Sequence, residues 1–384
     1  MGILKAEPLK IRSWTSRTAA LAWRTYDFQL TTYAVLLTVF GLVMAYSNSV
    51  SPTTSLSVDS PFVRGLMWAV MAGVVLAVTT AFDYKWLRSF AWPLYLVNFG
   101  LLAITLKLGT GTGEASGASR WITIFGFPFQ FSELAKIIMI IVFAAFLTSR
   151  QNKIKSIGTL VGVVIILVPP WVLVLMQPDL GTSLVMVAIA AGMLFMSGAS
   201  LLWMGTLAAG VLAAVPLVWS HLLDYQQARL LTLLNGSSAD PRANGYQISQ
   251  ALSAVNAGGL WGKGLTNGTV ILPVKSTDFV WGVLAEELGF VGAAVVLALF
   301  VLLLWRLLVS SWRSGDQFAT LVGSGLAAMI LFQVFVNVGM VIQLLPVTGI
   351  PLPFVSYGGA SLVSLAAGIG IVQSANLRRE RPEW

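Results

Sequence analysis

The chain has 384 residues, of which 57% are apolar and only 10% charged, against roughly a quarter charged in a typical soluble protein. This balance excludes an ordinary water-soluble globule and predicts segments solvated by lipid. With no cysteine and a single histidine, His221, the chain has no disulfide framework, thiol nucleophile or histidine metal cluster. Its net charge of +8 is distributed as topology signals rather than as a nucleic-acid surface, so no nucleic-acid partner is expected.

Residues 1–27 read as a basic cytoplasmic leader carrying Lys5, Lys10, Arg12, Arg17 and Arg24, without the compact apolar core or cleavage site of a signal peptide. Apolar runs follow at 28–48, 62–82, 89–108, 133–149, 157–176, 181–198, 200–219, 279–308, 318–345 and 355–375. Each is near the ~20 residues needed to cross a bilayer. The predicted class is therefore all-α: one polytopic membrane domain over 1–384 with about ten transmembrane helices. The sixth and seventh spans must turn within Ser197-Gly198-Ala199-Ser200. With ten spans, Lys85, Arg88, Arg150, Lys153, Lys155, Arg306, Arg313, Arg378, Arg379 and Arg381 share a side with the leader. The positive-inside rule makes that side cytoplasmic, with both termini on it.

Two loops on the opposite side are too long to be turns. Residues 109–132 include Arg120-Trp121-Ile122-Thr123-Ile124, a stretch too short to span and expected to dip into the membrane face. The larger loop, 220–278, contains Arg242 and Gln247 and a predicted short interfacial helix over Tyr246 to Val255. Glycines 258, 259, 262 and 264 around Lys263 suggest open amides and a cation for an anion such as phosphate.

Several polar groups at span ends need explaining. Ser132 reads as the N-cap of the fourth span. Glu133 and Lys136, three apart on one helix face, read either as a structural ion pair or as a charged cavity wall with Arg120. Asp179, in Gln177-Pro178-Asp179-Leu180-Gly181-Thr182, suits a helix cap through the Thr182 amide. Asp278 opens the eighth span, and a helix starting there aligns it with Gly282, Ala285, Gly289 and Ala293. That small-sided stripe permits close helix approach or an open groove beneath the carboxylate. Glu286 and Glu287 are adjacent, about 100° apart on a helix, and are expected in different environments. Between Leu345 and Ser361, three prolines within eight residues forbid a regular helix and predict a rigid irregular crossing.

Together these segments resemble the shape, elongation, division and sporulation (SEDS) family. Phe131-Ser132-Glu133-Leu134-Ala135-Lys136, Thr277-Asp278-Phe279, Ala285-Glu286-Glu287-Leu288-Gly289-Phe290 and Pro353-Phe354-Val355-Ser356-Tyr357-Gly358-Gly359 carry the likeness in the family's order. The form is closer to the RodA branch than to FtsW. The resemblance implies a peptidoglycan glycosyltransferase that polymerises lipid II on the outer membrane face, supporting cell-wall elongation and cell shape. It also implies a class B penicillin-binding protein as partner. Asp278 is the implied catalytic residue. Arg120, Trp121, Glu133, Lys136, Asp179, Arg242, Gln247, Lys263 and Ser356 are the candidate substrate-binding residues. No protein metal site and no organic cofactor are expected, although a divalent cation, Mg or Mn, is an expected aid to the leaving pyrophosphate. The sequence departs from the family at Ser276, usually His, at Gln343, usually Gly, and at Ala360, usually Ser. The rival readings are a lipid II flippase and a non-catalytic scaffold for a transpeptidase.

Overall fold

A computed structural model describes residues 25–49, 60–110, 120–124, 127–219, 227, 244–269 and 277–379. Ten apolar helices stand at the ten predicted spans: α1 (Phe28–Ser49), α2 (Pro61–Ala81), α4 (Ala91–Leu108), α5 (Phe131–Ser149), α6 (Ile157–Met176), α7 (Leu180–Met196), α8 (Leu201–Trp219), α10 (Val280–Arg313), α11 (Gln317–Val341) and α12 (Gly359–Leu377). Among the described residues there are also two shorter α-helices and a 3-10 turn at Gln151–Lys153. The helix α3 (Tyr84–Ser89) is capped by Asp83, which accepts from the Lys85 amide at 3.0 Å, and α9 (Asn244–Gly258) covers the predicted interfacial helix. The tenth span begins at Gly359, four residues later than expected, because the proline-rich segment stays irregular to Gly358.

Burial separates the helices into a centre and a rim. In α5, α11 and α12, 72–78% of a membrane-length window is buried, against 17–33% in α1, α2, α4, α6 and α10. The central three pack on one another; α12 also lies along α2, α10 along α11, and α11 along α7. Rim helices turn Val70, Val74, Leu96 and Ile165 outwards, as lipid-facing surface requires. Polar ties hold the rim where hydrophobicity gives no inward drive. Pro170 cannot donate to the Ile166 carbonyl of α6, and the Tyr95 hydroxyl of α4 donates to that oxygen instead at 3.1 Å. At the basic end, Arg306 Nε donates to both Asp27 oxygens at 2.8 and 2.7 Å. Gln373 bonds both the amide and the carbonyl of Asp27, tying α1, α10 and α12 together.

Within the 109–132 loop, β1 (Ile122–Ile124) and β2 (Phe127–Phe129) pair antiparallel, and Trp121 bridges to Thr110. Two expectations are corrected. Ser132 is not the cap of α5; Gln130 holds that position. Nor does α10 run straight from Asp278: it begins at Val280 and is broken at Gly289, whose φ of 67° and ψ of −169° are not helical. The small-sided stripe therefore frames no open groove but admits the chain after α9. A Cβ on Gly258 would lie 1.9 Å from the Ala285 carbonyl oxygen, and one on Gly289 would lie 2.3 Å from the Gly262 nitrogen. The break's backbone groups are met across this contact. Lys263 and Gly264 amides donate to the Glu286 and Glu287 carbonyls at 3.0 Å, while Phe290 and Val291 amides donate to Gly259 and Leu260 at 2.9 and 3.1 Å.

Candidate active site

The bundle end that carries the long loops holds a cavity of about 330 Å³ lined by Arg120, Trp121, Gln130, Glu133, Lys136, Asp179, Asp278, Gln333, Tyr357 and Ser361, among others. It is assembled from the starts of α5, α7 and α12, the end of α11 and the residues just before α10.

Asp278 is half-buried and sits before the helix rather than capping it. Two neutral side chains fix its backbone. Asn337 Nδ2 donates to the Asp278 carbonyl at 2.9 Å and to the Ile350 carbonyl at 2.8 Å. Ser356 Oγ donates to the Thr277 carbonyl at 2.7 Å and accepts from the Leu352 amide at 2.8 Å. The same bonds bring the proline-rich crossing over α10, so that Gly349, with φ of 71°, faces Asp278 Oδ2; a Cβ there would stand 3.4 Å from that oxygen.

Glu133 and Lys136 line the same cavity. Lys136 Nζ lies 2.8 Å from Glu133 Oε1, and both side chains are buried. The two readings of the pair are thus both met: it is an ion pair, and it lines the cavity. Asp179 is the predicted cap, accepting from the Thr182 amide at 3.1 Å. It also accepts from the Thr182 hydroxyl at 2.9 Å, from Gln130 Nε2 at 2.9 Å and from Ser132 Oγ at 3.4 Å. Arg120 reaches across from the hairpin, donating from Nε to the Gln177 carbonyl at 3.1 Å and from Nη2 to the Pro178 carbonyl. Among the described residues its partners are neutral carbonyls. Tyr357 forms one rim; burial pushes its phenol above the usual value, and a hydrogen bond and charge from Arg64 offset part of that rise.

Other candidates lie apart. Lys263 does not line this cavity; its ammonium is 2.8 Å from Glu286 Oε1 and 2.6 Å from Thr269 Oγ1. The amides of Lys263 and Gly264 serve the α10 break, so the glycine-rich segment is not an open anion cradle. Glu286 and Glu287 have different partners, as expected: Glu286 Oε1 meets Lys263 Nζ and the Thr269 amide, whereas Glu287 Oε1 accepts from Ser47 Oγ, although an oxygen of each lies within 3.5 Å of a Cβ placed on Gly268. Ser356 supports Asp278 from behind rather than lining the cavity. Gln247 lies in α9, and Arg242 falls outside the described residues. Among the described residues no group of three or more His, Cys, Asp or Glu could hold a metal ion. Glu133 is paired with Lys136, and Asp179 accepts from Thr182, Gln130 and Ser132. Sequence reasoning passed over Gln333 and gave no role to Asn337; a lone amide inside an apolar span was the available signal.

The family model described as cell cycle protein (FtsW, RodA, SpoVE) matches residues 28–381. A probable peptidoglycan glycosyltransferase FtsW from Geobacter sp. (strain M18) is 35% identical over 359 residues, covering 92% of this chain and 97% of the relative. The peptidoglycan glycosyltransferase MrdB of Escherichia coli (strain K12) is 38% identical over 315 residues, covering 81% and 84%. Among solved structures, a chain from a study of polymerization and crosslinking by a peptidoglycan synthase complex aligns with a TM-score of 0.77 and 29% identity, covering 92% of this chain and 98% of that one. The Rod shape determining protein RodA of Thermus thermophilus aligns with a TM-score of 0.70 and 28% identity, covering 94% and 99%. With that extent of match, this multi-pass membrane protein belongs to the FtsW/RodA/SpoVE family.

Proposed function

We infer that this protein is a peptidoglycan glycosyltransferase that polymerises lipid II into β-1,4-linked glycan strands, in support of cell-wall elongation and cell shape. The observation that carries the reading is Asp278, held by Asn337 and Ser356 at a cavity that the Glu133–Lys136 pair also lines. The relatives' glycosyltransferase names support the same activity.

In this scheme the Asp278 carboxylate takes the proton of the acceptor sugar's 4-hydroxyl. The freed oxygen lone pair attacks the donor's anomeric carbon, and the bond to the undecaprenyl pyrophosphate oxygen breaks with inversion. One base and one displacement suffice, and a carboxylate serves if held within hydrogen-bond reach of the hydroxyl. The cavity wall has one more carboxylate than cations. The leaving pyrophosphate is therefore met chiefly at the rim, by Arg120 and by Arg64 beyond Tyr357. A divalent cation, if used, would arrive with the pyrophosphate.

The loop-bearing end faces outwards in this reading, with the basic end, both termini and the 1–27 leader in the cytoplasm and 220–278 as the extracytoplasmic loop. The lysines and arginines near α3, the α5–α6 turn and the ends of α10 and α12 support that orientation. A class B penicillin-binding protein is the proposed partner, supported by the relative studied within a synthase complex. A flippase would place its site near the midplane, whereas this cavity is built from helix ends.

The deciding experiment is polymerisation of purified lipid II by purified protein with its class B partner. Wild type should yield long glycan. Asp278→Asn should yield none while keeping its thermal unfolding midpoint within about 2 °C, since a mutation removing no packing shifts stability little. Full activity in the Asn variant would sink the assignment.

A further inference from the structure

One polar group in the cavity wall has no part in the scheme above. Gln333 lies on α11 about two turns before its end, is 1% exposed and lines the cavity with Glu133, Lys136 and Ser361. Neither its Oε1 nor its Nε2 has a hydrogen-bond partner. Among the described residues it alone has both ends of a side-chain amide buried and unmatched. Burying a carboxamide with neither edge bonded is costly, and native folds rarely keep such a group without a use. Asn337, one turn further along the same helix, spends its amino group on two carbonyls.

The chemistry of the amide narrows its ligand. A carboxamide presents an acceptor beside two donors. A phosphate or carboxylate would take the donors and leave Oε1 facing negative charge. A neutral ligand edge with an acceptor next to a donor satisfies both. The neighbouring wall has the same character, since Glu133 and Lys136 at 2.8 Å cancel each other's charge while keeping an acceptor and donors.

We propose that Gln333 is a specificity-determining residue that reads the acetamido-bearing edge of an N-acetylated sugar. Its Nε2 donates to the acetamido carbonyl oxygen, and its Oε1 accepts from the adjacent ring hydroxyl. This rests on the glycosyltransferase reading and deepens it. The inner wall holds the sugar, and the pyrophosphate stays at the cationic rim.

The test uses the full-length protein with its class B partner and compares wild type with Gln333→Leu, which keeps the bulk and removes both polar edges. Two probes are supplied: lipid II, and lipid II whose acetamides are replaced by free amines. The unliganded variant should unfold at the wild-type temperature or above it, because an unmatched polar group has gone. Its kcat/KM on lipid II should fall roughly 10- to 100-fold, and its preference for the acetylated probe should narrow about tenfold. If the leucine variant does not fold, Gln333→Met carries the same expectations. Polymerisation within about twofold of wild type, with the preference intact, overturns the proposal and assigns the amide to a buried water. A lowered rate with unchanged preference overturns the sugar-reading role as well. No glycan from wild type would remove the glycosyltransferase reading itself, and this proposal with it.

Discussion

At the residue scale, the position of Asp278 depends on side chains that touch none of the reacting atoms. Asn337 is fully buried and bonds two carbonyls, one beside the start of α10 and one in the proline-rich crossing. Asn337→Ala should therefore let the aspartate and the proline-rich crossing separate. Misplacing a base by about 1 Å costs on the order of 100-fold, so kcat for lipid II polymerisation should drop about that far while KM changes less than about threefold. Steady-state kinetics with the class B partner present measures the split. A KM-dominated loss would instead make Asn337 a substrate contact. Asp278 could be singled out in the sequence because it stands at the edge of an apolar span within Thr277-Asp278-Phe279, and its catalytic role there came from the family resemblance. Asn337 and Gln333 carry no charge, and what they do depends on carbonyls and ligands far away in sequence. Lys263 misled for a related reason. Its glycine neighbours have the local look of an anion nest, yet the amides of Lys263 and Gly264 are taken by carbonyls more than twenty residues later.

At the scale of elements, α10 is the informative one. Its 34 residues would make a helix of about 51 Å, against a hydrocarbon core of about 30 Å. The break at Gly289 resolves that excess: Phe290–Arg313 is long enough to cross, and Val280–Leu288 is left at the loop-bearing end beneath Asp278. The φ of 67° and the approach of Gly262 both forbid a side chain at position 289. Gly289→Ala should cost about 2–4 kcal/mol through strain and the lost backbone pairing. Gly73→Ala, which meets nothing within 4 Å, should be neutral or slightly stabilising. Unfolding midpoints in detergent compare the two; equal midpoints would mean the break is not held as described. The sequence shows a run too long for one span and a glycine within it. The strand-like pairing that mends the break joins two distant segments, and no local pattern announces it.

At the scale of the whole molecule, the helix count follows from apolar length, but the packing order does not. Lipid is as apolar as a protein interior, so hydrophobicity cannot separate the central α5, α11 and α12 from the rim. Their distinction lies in small and polar residues such as Gly368, Gln373 and Asn337 facing neighbouring helices. Topology is more accessible, since positive charge marks one side. Because the chain has no cysteine, single-cysteine variants can test it directly. With a membrane-impermeant thiol reagent, Asn267→Cys should label in intact cells and Gln151→Cys only after lysis. Both positions are exposed. The reverse pattern would invert the orientation and move the cavity to the cytoplasmic face.

The Glu133–Lys136 pair has a consequence for a polymerase that must act repeatedly. In the proposed scheme the strand advances by one repeat through the same cavity after each addition. A lone buried lysine or glutamate would grip its ligand as an ionic clamp, and every advance would have to break it. A wall whose charges cancel at 2.8 Å offers instead exchangeable hydrogen bonds of similar strength at successive positions. In that scheme such a surface lets the strand slide stepwise instead of being held by an ionic grip at one position.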